Sequence, residues 1–451
     1  MRGEVFTGKV FISTPGHQTA GIIHTRLRRT AFDMPQHANV PLVAMSPPRF
    51  EASDPAMLEY LEEHGYAVVS SVLESAEDFA RISSEFWDFH EALNHGVHRD
   101  DPSTWGDEFI ASPATGIIAR FGFGQSRFCW SLRTLPAVRK AFESIWRTED
   151  LITSFDGGNA FRPDPEWRTE GGWWHCDQNG TKPDRKDRVC VQGLVLLTPA
   201  NEYTGGFCVV PGSHKNHLAF SERHPWAIDS GDFLPVPEGD EILKPGGKLL
   251  RASPGDLILW DSRSIHCNGP AIAPVDKAPQ GAVPPCAELL RLAGYVCFVP
   301  ASWCPEAVME QRARATLELV TSTHWPHAFV PTGRSEEGTL RRTAHDYSRE
   351  ETRLILGDHG VWPDALLDTK RPANPNTNPQ QRAPSAPVPA NKPSVRTPAG
   401  SAPVGSRAWA VQQTTRTGAG ERPVKGTPGS AAPLLTVLAG TLSNCIRGGR
   451  T

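Results

Sequence analysis

The sequence has no apolar run that approaches the roughly 20 residues a membrane-spanning helix requires. It also has no Cys-x-x-Cys pair, and its nine cysteines are odd in number, which argues against a disulfide framework. Several of them, including Cys190, Cys208 and Cys297, lie in apolar, strand-like runs where free cysteine behaves as a small hydrophobe. We therefore expect no membrane span and an intracellular, cytoplasmic location, with organellar import as the alternative.

Hydrophobic residues are scarce, at 39 % of the chain, and the shortage is uneven. Residues 371–451 carry ten basic side chains and one acid, and the first 48 residues carry a net charge of +3. The total of −4 therefore leaves about −16 for residues 49–370. An acidic core of this kind argues against nucleic acid as its partner and is compatible with a small-molecule substrate.

These composition changes predict three segments. Residues 1–47 form a leader that is either disordered or a weak targeting segment, because Arg26, Arg28 and Arg29 occur among few acids but without an amphipathic period. Residues 48–365 form the folded domain. Residues 366–451 form a disordered basic tail rich in Pro, Ala, Gly, Ser and Thr. Nothing in the sequence indicates an oligomeric state.

The folded segment is predicted to be mainly β with flanking helices. Helical spacing of apolar residues favours helices at about 55–64, 76–93, 135–146 and 306–321. Between the last two, short extended runs alternate with Gly and Pro turns, which is typical of an antiparallel sandwich or jelly roll. The runs are 151–155, 172–175, 189–197, 206–210, 249–251, 256–260 and 290–299.

A candidate metal site begins at His175-Cys176-Asp177. On an extended chain the imidazole and the carboxylate lie on one side, which supplies two of the three ligands of a 2-His-1-carboxylate Fe(II) site. His266 is the candidate third ligand, because it follows an apolar strand and a buried neutral histidine needs partners for both ring nitrogens. His214 is the rival, and its position after a turn favours a loop-exposed or substrate-facing side chain.

A second His-x-Asp pattern occurs at His98 and Asp100. It lies in a polar region next to Asp101 and Asp107, with no strand pattern around it. A solvated surface loop explains this pattern, so we exclude it as the metal site.

Arg291 is the single charge within the apolar run at 290–299. A guanidinium on a core strand requires an anion, which is either an internal Asp or Glu or a carboxylate ligand. Because this strand directly follows that of His266, a dicarboxylate cosubstrate is the sharper interpretation. Arg263, close to His266 in the sequence, is the other candidate for the same role.

The order and spacing of these motifs resemble the phytanoyl-CoA dioxygenase family of Fe(II)- and 2-oxoglutarate-dependent oxygenases, especially its uncharacterised members. The resemblance covers about residues 55–320, although Arg291 lies farther beyond His266 than the family's arginine usually does. The matching features are the helix and strand at 58–69, the His-x-Asp motif, Gly205-Gly206 followed by Pro211-Gly212-Ser213-His214, Pro254-Gly255-Asp256, His266 and Arg291.

The resemblance implies a double-stranded β-helix in which His175, Asp177 and His266 bind Fe(II). It implies 2-oxoglutarate and O2 as cosubstrates, with ascorbate in support. Arg291 would pair with the far carboxylate of 2-oxoglutarate, helped by Asn268, and Gln192 is a further candidate for the same ligand.

The predicted activity is a dioxygenase that hydroxylates a small organic molecule and releases succinate and CO2. Retention of Asp177 favours hydroxylation over halogenation, since related halogenases lack that carboxylate. The alternative is a cupin-like jelly roll that binds a metal, an isomerase or a binding protein, without oxygenase activity.

Other residues near the motifs have two interpretations each. Four aromatic residues either line the pocket or belong to the core: Trp173, Trp174, Phe207 and Trp260. Four polar residues either contact a substrate or serve turns and surface: Asn179, His214, Lys215 and Arg263.

Overall fold

The computed structural model of the chain describes residues 40–285, 288–334 and 342–367. All of these lie in the first of two compact units, which spans Met1–Asn376. The predicted leader before residue 40 and the predicted basic tail from residue 368 lie outside the described residues.

The described residues form sixteen strands and eight α-helices. The strands are β1 (Leu42–Met45), β2 (Arg49–Phe50), β3 (Tyr66–Val69), β4 (Ile117–Ile118), β5 (Leu151–Thr153), β6 (Gly158–Phe161), β7 (His175–Cys176), β8 (Val191–Leu196), β9 (Gly206–Val209), β10 (Leu234–Pro235), β11 (Gly247–Leu250), β12 (Leu257–Asp261), β13 (His266–Gly269), β14 (Arg291–Pro300), β15 (Thr321–Ser322) and β16 (Pro331–Gly333). The helices are α1 (Pro55–His64), α2 (Ala76–Ala92), α3 (Arg127–Arg133), α4 (Pro136–Trp146), α5 (His217–Arg223), α6 (Glu306–Leu317), α7 (Arg349–Leu356) and α8 (Asp364–Leu367).

Most strands belong to two sheets. The larger sheet has the order β2-β3-β12-β8-β14-β6-β4, with β5 beside β14, and the smaller has the order β1-β11-β9-β13-β7-β10. From β6 the chain visits the larger and smaller sheets in turn through β7, β8 and β9, and again through β11, β12, β13 and β14. This alternation, with antiparallel pairing between these strands, is the connectivity of a double-stranded β-helix. The predicted fold class is confirmed.

Apolar side chains fill three layers. Alternation along each strand sends successive side chains to opposite faces, so each sheet has an inner and an outer apolar face. The space between the sheets holds Val68, Leu194, Leu196, Phe207, Val209, Leu250, Ile258 and Trp260. The outer face of the larger sheet packs against helices. In this layer the strands contribute Val195, Leu257 and Val296, and the helices contribute Ile82, Phe86 and Phe142. The outer face of the smaller sheet is covered by Phe220, Ala227 and Ile242.

The first helix shows how local sequence positions the outer layer. The Asp54 side chain accepts a hydrogen bond from the Ala56 N–H, Pro55 occupies the first turn, and Gly65 ends the helix with a φ of 78°. Met57 and Leu61 are buried on one face of α1. The predicted helix over 55–64 is therefore present, and it leads directly into β3.

The ordered fold begins before residue 48, so the predicted end of the leader is too late. β1 pairs in parallel with β11 along its whole length. The side chain of Leu42 lies against Gly247, where an added Cβ would come within 2.8 Å of it. A short edge strand carries little sequence signal, which is why the composition boundary missed it.

Four further elements differ from the prediction. β6 and β13 are not among the predicted extended runs, yet both are buried strands. The strand at the metal motif is only His175–Cys176, so the two preceding tryptophans are not part of it. Helix α6 ends at Leu317 rather than 321, since Thr321 already begins β15.

The cysteines among the described residues are free, and six of the seven are buried. This agrees with the expectation that they act as core side chains. None of the helices in the described part of the chain is long and apolar enough to span a bilayer.

Candidate metal centre and active-site cavity

The His-x-Asp motif and the distal histidine meet on the inner face of the smaller sheet. His175 begins β7 and His266 begins β13, and the two residues are direct cross-strand neighbours. The Nε2 atom of His175 lies 3.5 Å from Oδ1 of Asp177, and Nε2 of His266 lies 3.3 Å from Oδ2. One ligand atom from each of the three buried residues lies within 4.8 Å of the others. This separation suits three ligands of one metal ion.

Both imidazoles are oriented in the same way. Nδ1 of His175 lies 3.1 Å from the carbonyl oxygen of Trp173, and Nδ1 of His266 lies 3.0 Å from that of Ser264. A carbonyl oxygen only accepts, so both Nδ1 atoms carry the proton. Each Nε2 therefore presents a lone pair toward the shared space, as metal-ligating histidines do.

Asp177 is held in its ionised form. Burial alone would raise its pKa, but the nearby imidazoles of His175, His324 and His266 hold the pKa of Asp177 well below its usual range. Its Oδ2 also accepts a hydrogen bond of 2.9 Å from Nε2 of Gln192. Gln192 therefore orients a candidate metal ligand, whereas the role predicted from the sequence was binding of 2-oxoglutarate.

The three residues open into a cavity of about 210 Å³ between the sheets. Aromatic side chains line it around the imidazoles, namely Trp173, Phe207, Trp260 and Phe233, the last of which is 45 % exposed. Of the aromatic residues with two interpretations, three therefore line the pocket. Trp174 instead packs on the outer face of the smaller sheet.

Arg291 is fully buried at the start of β14, and its guanidinium lies next to Asn268 rather than in the cavity lining itself. Its Nε donates to Oδ1 of Asn159 at 2.7 Å, and Nη2 lies 3.5 Å from Oδ1 of Asn268, which lines the cavity. Nη1 is buried without a hydrogen-bond partner among the described residues. Burial lowers the pKa of Arg291 to about 10. No carboxylate of the described residues forms an ion pair with this guanidinium, which leaves the internal salt bridge unsupported.

Arg263, the other candidate, is already paired. Its Nε and Nη2 donate to the two carboxylate oxygens of Asp261 at 2.9 and 2.8 Å. The guanidinium with unused hydrogen-bonding capacity is therefore that of Arg291.

Several polar residues that were possible substrate contacts from the sequence lie away from the cavity. Asn179 donates to the carbonyl oxygens of Ala227 and Gly231, so it organises a loop. Lys215 forms an ion pair with Glu63. His98, from the second His-x-Asp pattern, is exposed as expected.

The loop-exposed interpretation of His214 is wrong. The side chain is only 5 % exposed, and its Nε2 lies 2.9 Å from the carbonyl oxygen of Glu62. The turn before His214 folds back onto α1, and that helix buries the imidazole although the residue follows a turn. His214 does not line the cavity.

Sequence reasoning missed a second set of cavity residues. Tyr295 shares a face of β14 with Arg291, and its hydroxyl accepts a hydrogen bond of 3.1 Å from Asn268. The period-two spacing of these residues was a usable signal. Asp156, Thr323 and His324 also line the cavity, but they come from turns whose sequence carries no motif.

The fold and the site together define a double-stranded β-helix with a candidate His-Asp-His metal centre in its interior. Residues 61–271 match the family model described as phytanoyl-CoA dioxygenase (PhyH). The predicted resemblance is therefore confirmed over this region, which is just under half of the chain. The match contains all three candidate ligands and ends before Arg291.

Two relatives and one solved structure are similar to the chain. The Ava biosynthesis cluster protein O of Aspergillus versicolor is 28 % identical over 52 % of this chain and 74 % of its own length. A Dictyostelium discoideum protein named for phytanoyl-CoA dioxygenase is 24 % identical over 46 % of this chain and 68 % of its own. The iron-bound crystal structure of EctD from S. alaskensis is 15 % identical, covers 59 % of this chain and 82 % of its own, and has a TM-score of 0.36. A score this low carries no conclusion.

Proposed function

We propose that the chain is an Fe(II)- and 2-oxoglutarate-dependent dioxygenase that hydroxylates a small organic molecule. His175, Asp177 and His266 would hold the metal, and Arg291 with Asn268 would hold the far carboxylate of 2-oxoglutarate. The metal part rests on the chemistry of the donor set: two imidazole nitrogens and one carboxylate on one side leave the other side free for further ligands.

The observation that carries the cosubstrate assignment is the uncompensated guanidinium of Arg291. A buried charge without a counter-ion is costly, so such a group is normally paired. Arg291 has a buried, unpartnered Nη1 and no carboxylate partner among the described residues. An anion that enters from the cavity would supply both the counter-charge and the missing acceptor.

Other unused donors surround the same space. The indole Nε1 atoms of Trp173 and Trp260 are buried without acceptors in the described part of the chain, and both residues line the cavity. Buried polar groups are normally hydrogen-bonded, and an isolated exception calls for an explanation such as a ligand. A dianion with several oxygen atoms suits three such donors better than an apolar ligand does.

When bound, Fe(II) and 2-oxoglutarate supply the oxidising chemistry, with O2 consumed and succinate and CO2 released. The protein orients and shields this chemistry. The carbonyl oxygens of Trp173 and Ser264 fix the imidazole tautomers, and Gln192 fixes the carboxylate rotamer. The aromatic walls exclude water from the reacting groups.

The test is turnover of 2-oxoglutarate to succinate by purified protein with Fe(II), ascorbate and O2, together with thermal unfolding. We expect succinate release, and a rise in melting temperature when 2-oxoglutarate is added to Fe(II)-loaded protein under anaerobic conditions. Stabilisation by metal without any effect of 2-oxoglutarate would contradict the proposal and favour the cupin-like alternative. The same measurements on His175→Ala serve as the control, because that variant loses a ligand.

A further inference from the structure

The cavity has a second polar wall that the proposed chemistry does not use. Asp156 lies in the turn between β5 and β6, and Thr323 and His324 directly follow β15. All three line the cavity, and none belongs to the metal ligands or contacts Arg291. The wall therefore comes from different elements than the metal and carboxylate sites.

Asp156 has an unpaired carboxylate. Its Oδ1 accepts a hydrogen bond of 2.7 Å from the Gly157 N–H, and no ion pair of this carboxylate occurs among the described residues. The nearby guanidinium of Arg133 donates to the backbone carbonyl oxygens of Gly124 and Asp156 instead. Burial raises the pKa of Asp156, and the nearby side chains of His324 and Arg133 oppose this effect. Among the described residues, no side-chain cation donates a hydrogen bond to this carboxylate.

The two neighbours of Asp156 are also incompletely bonded. Oγ1 of Thr323 and Nε2 of His324 are buried without hydrogen-bond partners in the described residues. His324 lines the same cavity as Asp156 and Asp177. A ligand group that bonds to this wall would therefore be held on the side of the metal centre.

The charge balance of the loaded site indicates the sign of that group. The two positive charges of Fe(II) and that of Arg291 balance the two negative charges of 2-oxoglutarate and that of Asp177. Asp156 is then the remaining carboxylate of the cavity lining, and a buried carboxylate is stabilised by a cation. The other walls, such as Phe207, Phe233 and Ile117, are apolar.

We propose that the substrate is a small ammonium compound with an apolar body, and that Asp156 binds its ammonium group while Thr323 and His324 complete the contact. The apolar body lies between the aromatic walls, which brings its carbon atoms toward the metal centre. The volume of about 210 Å³ is below the roughly 300–1,000 Å³ of drug-sized ligand sites, so the substrate is small. This inference rests on the proposed function, whose site it completes.

The test uses three probes of equal shape: benzylamine, benzyl alcohol and benzoate. Each is titrated by calorimetry into the full chain loaded with Fe(II) and 2-oxoglutarate without O2. We expect wild type to bind benzylamine at least ten times more tightly than benzyl alcohol, and to bind benzoate most weakly. In Asp156→Asn the affinity for benzylamine should fall about ten- to hundredfold, while the affinity for benzyl alcohol stays within a few-fold.

The asparagine substitution is chosen because it keeps an acceptor for the Gly157 N–H and removes only the charge. Asp276→Asn, at an exposed carboxylate outside the cavity, is the matched control and should bind all probes like wild type. If Asp156→Asn does not fold, Thr323→Val gives a second measurement, with a several-fold loss for benzylamine expected.

Three results would overturn the inference: no preference for benzylamine in wild type, no binding of any probe, or a preference that survives in Asp156→Asn. A separate titration of 2-oxoglutarate distinguishes this failure from that of the proposed function. Normal 2-oxoglutarate binding without amine preference refutes only the substrate class. Amine preference that depends on Asp156 without 2-oxoglutarate binding refutes only the cosubstrate.

Discussion

A Cβ atom at Gly206 would lie 2.9 Å from Nη1 of Arg291, so the guanidinium occupies the space that any other residue at this position would fill. The glycine at the start of β9 thus belongs to the candidate carboxylate site, although its position in the sequence suggests only a turn. A glycine is required at the neighbouring position 205 for a different reason. The φ of Gly205 is 76°, and an added Cβ would contact the carbonyl oxygen of Gly269.

Gly206→Ala should displace the guanidinium of Arg291. We expect the affinity for 2-oxoglutarate to fall about tenfold or more, and the free energy of unfolding to fall by about 1–3 kcal/mol through overpacking. Calorimetric titration and urea unfolding measure the two effects. Gly231→Ala is the control, because no atom lies within 4 Å of its added Cβ. Unchanged 2-oxoglutarate binding in a folded Gly206→Ala protein would contradict this role.

Arg291→Gln should raise the KM for 2-oxoglutarate about 10- to 150-fold, since hydrogen bonds to a charged partner contribute roughly 1.5–3 kcal/mol. Arg263→Gln should leave that KM within a few-fold, because its guanidinium is paired with Asp261. Initial rates of succinate release at varied 2-oxoglutarate concentrations give both values. The reverse ranking of the two variants would move the role to Arg263.

His266→Ala should abolish stabilisation by Fe(II). A metal ion that binds only the folded protein raises the melting temperature, and the loss of one of three ligands removes most of that effect. The comparison variant is His214→Ala, which changes a buried histidine that is not a candidate ligand. Both variants are measured with and without Fe(II), so the metal-dependent shift is separated from the intrinsic stability. A full shift in His266→Ala would refute the ligand assignment.

Gln192→Leu should weaken Fe(II) binding about 10- to 100-fold, as substitutions that release a metal ligand from its orienting hydrogen bond commonly do. The amide donates to Oδ2 of Asp177 and also to Oγ of Ser262. Competition with a metal-sensitive dye under anaerobic conditions gives the affinity. A large loss of 2-oxoglutarate affinity with normal metal binding would instead support the role predicted from the sequence.

Acid should destabilise the domain partly through His90. Burial lowers the pKa of His90 from 6.5 to about 4, and its Nε2 accepts a hydrogen bond from the Ile110 N–H. The unfolded chain then binds more protons than the folded chain between pH 6.5 and about 4, so stability is full above this window and falls within it. The shift corresponds to about 3 kcal/mol.

The corresponding variant is His90→Leu. Urea unfolding at several pH values between 7 and 4.5 should give a smaller loss of stability for this variant than for wild type, whatever its stability at pH 7. Parallel curves for the two proteins would show that His90 binds its proton as readily in the folded chain as in the unfolded chain, contrary to the expectation.

The sequence predicted the fold class because strand alternation and turn chemistry are local signals. Strands such as β8 and β14 are long, apolar and bounded by turns, so their residues identified them. β6 could not be found in this way, since Gly158 and Asn159 lower strand propensity and the strand depends on its pairing with β14 and β4. β1 likewise depends on its partner β11.

The site shows the same contrast between residues that local sequence patterns identify and residues that only tertiary packing brings together. His175 and Asp177 lie two residues apart, so one strand geometry predicts their proximity. His266 and Arg291 were chosen by their apolar context. The structure places His266 in the cavity lining and Arg291 beside Asn268, which lines the cavity. Asp156 and His324 could not be predicted, because tertiary packing alone brings their turns to the same wall.

The direct cross-strand placement of His175 and His266 has a consequence for protein engineering. Their spacing depends on the hydrogen bonds between β7 and β13, and an insertion of one residue between 262 and 265 would turn the second imidazole to the opposite face. The Pro- and Ala-rich loop at 271–285 comes after both strands. A peptide tag or a reporter domain inserted there would leave both imidazoles in place.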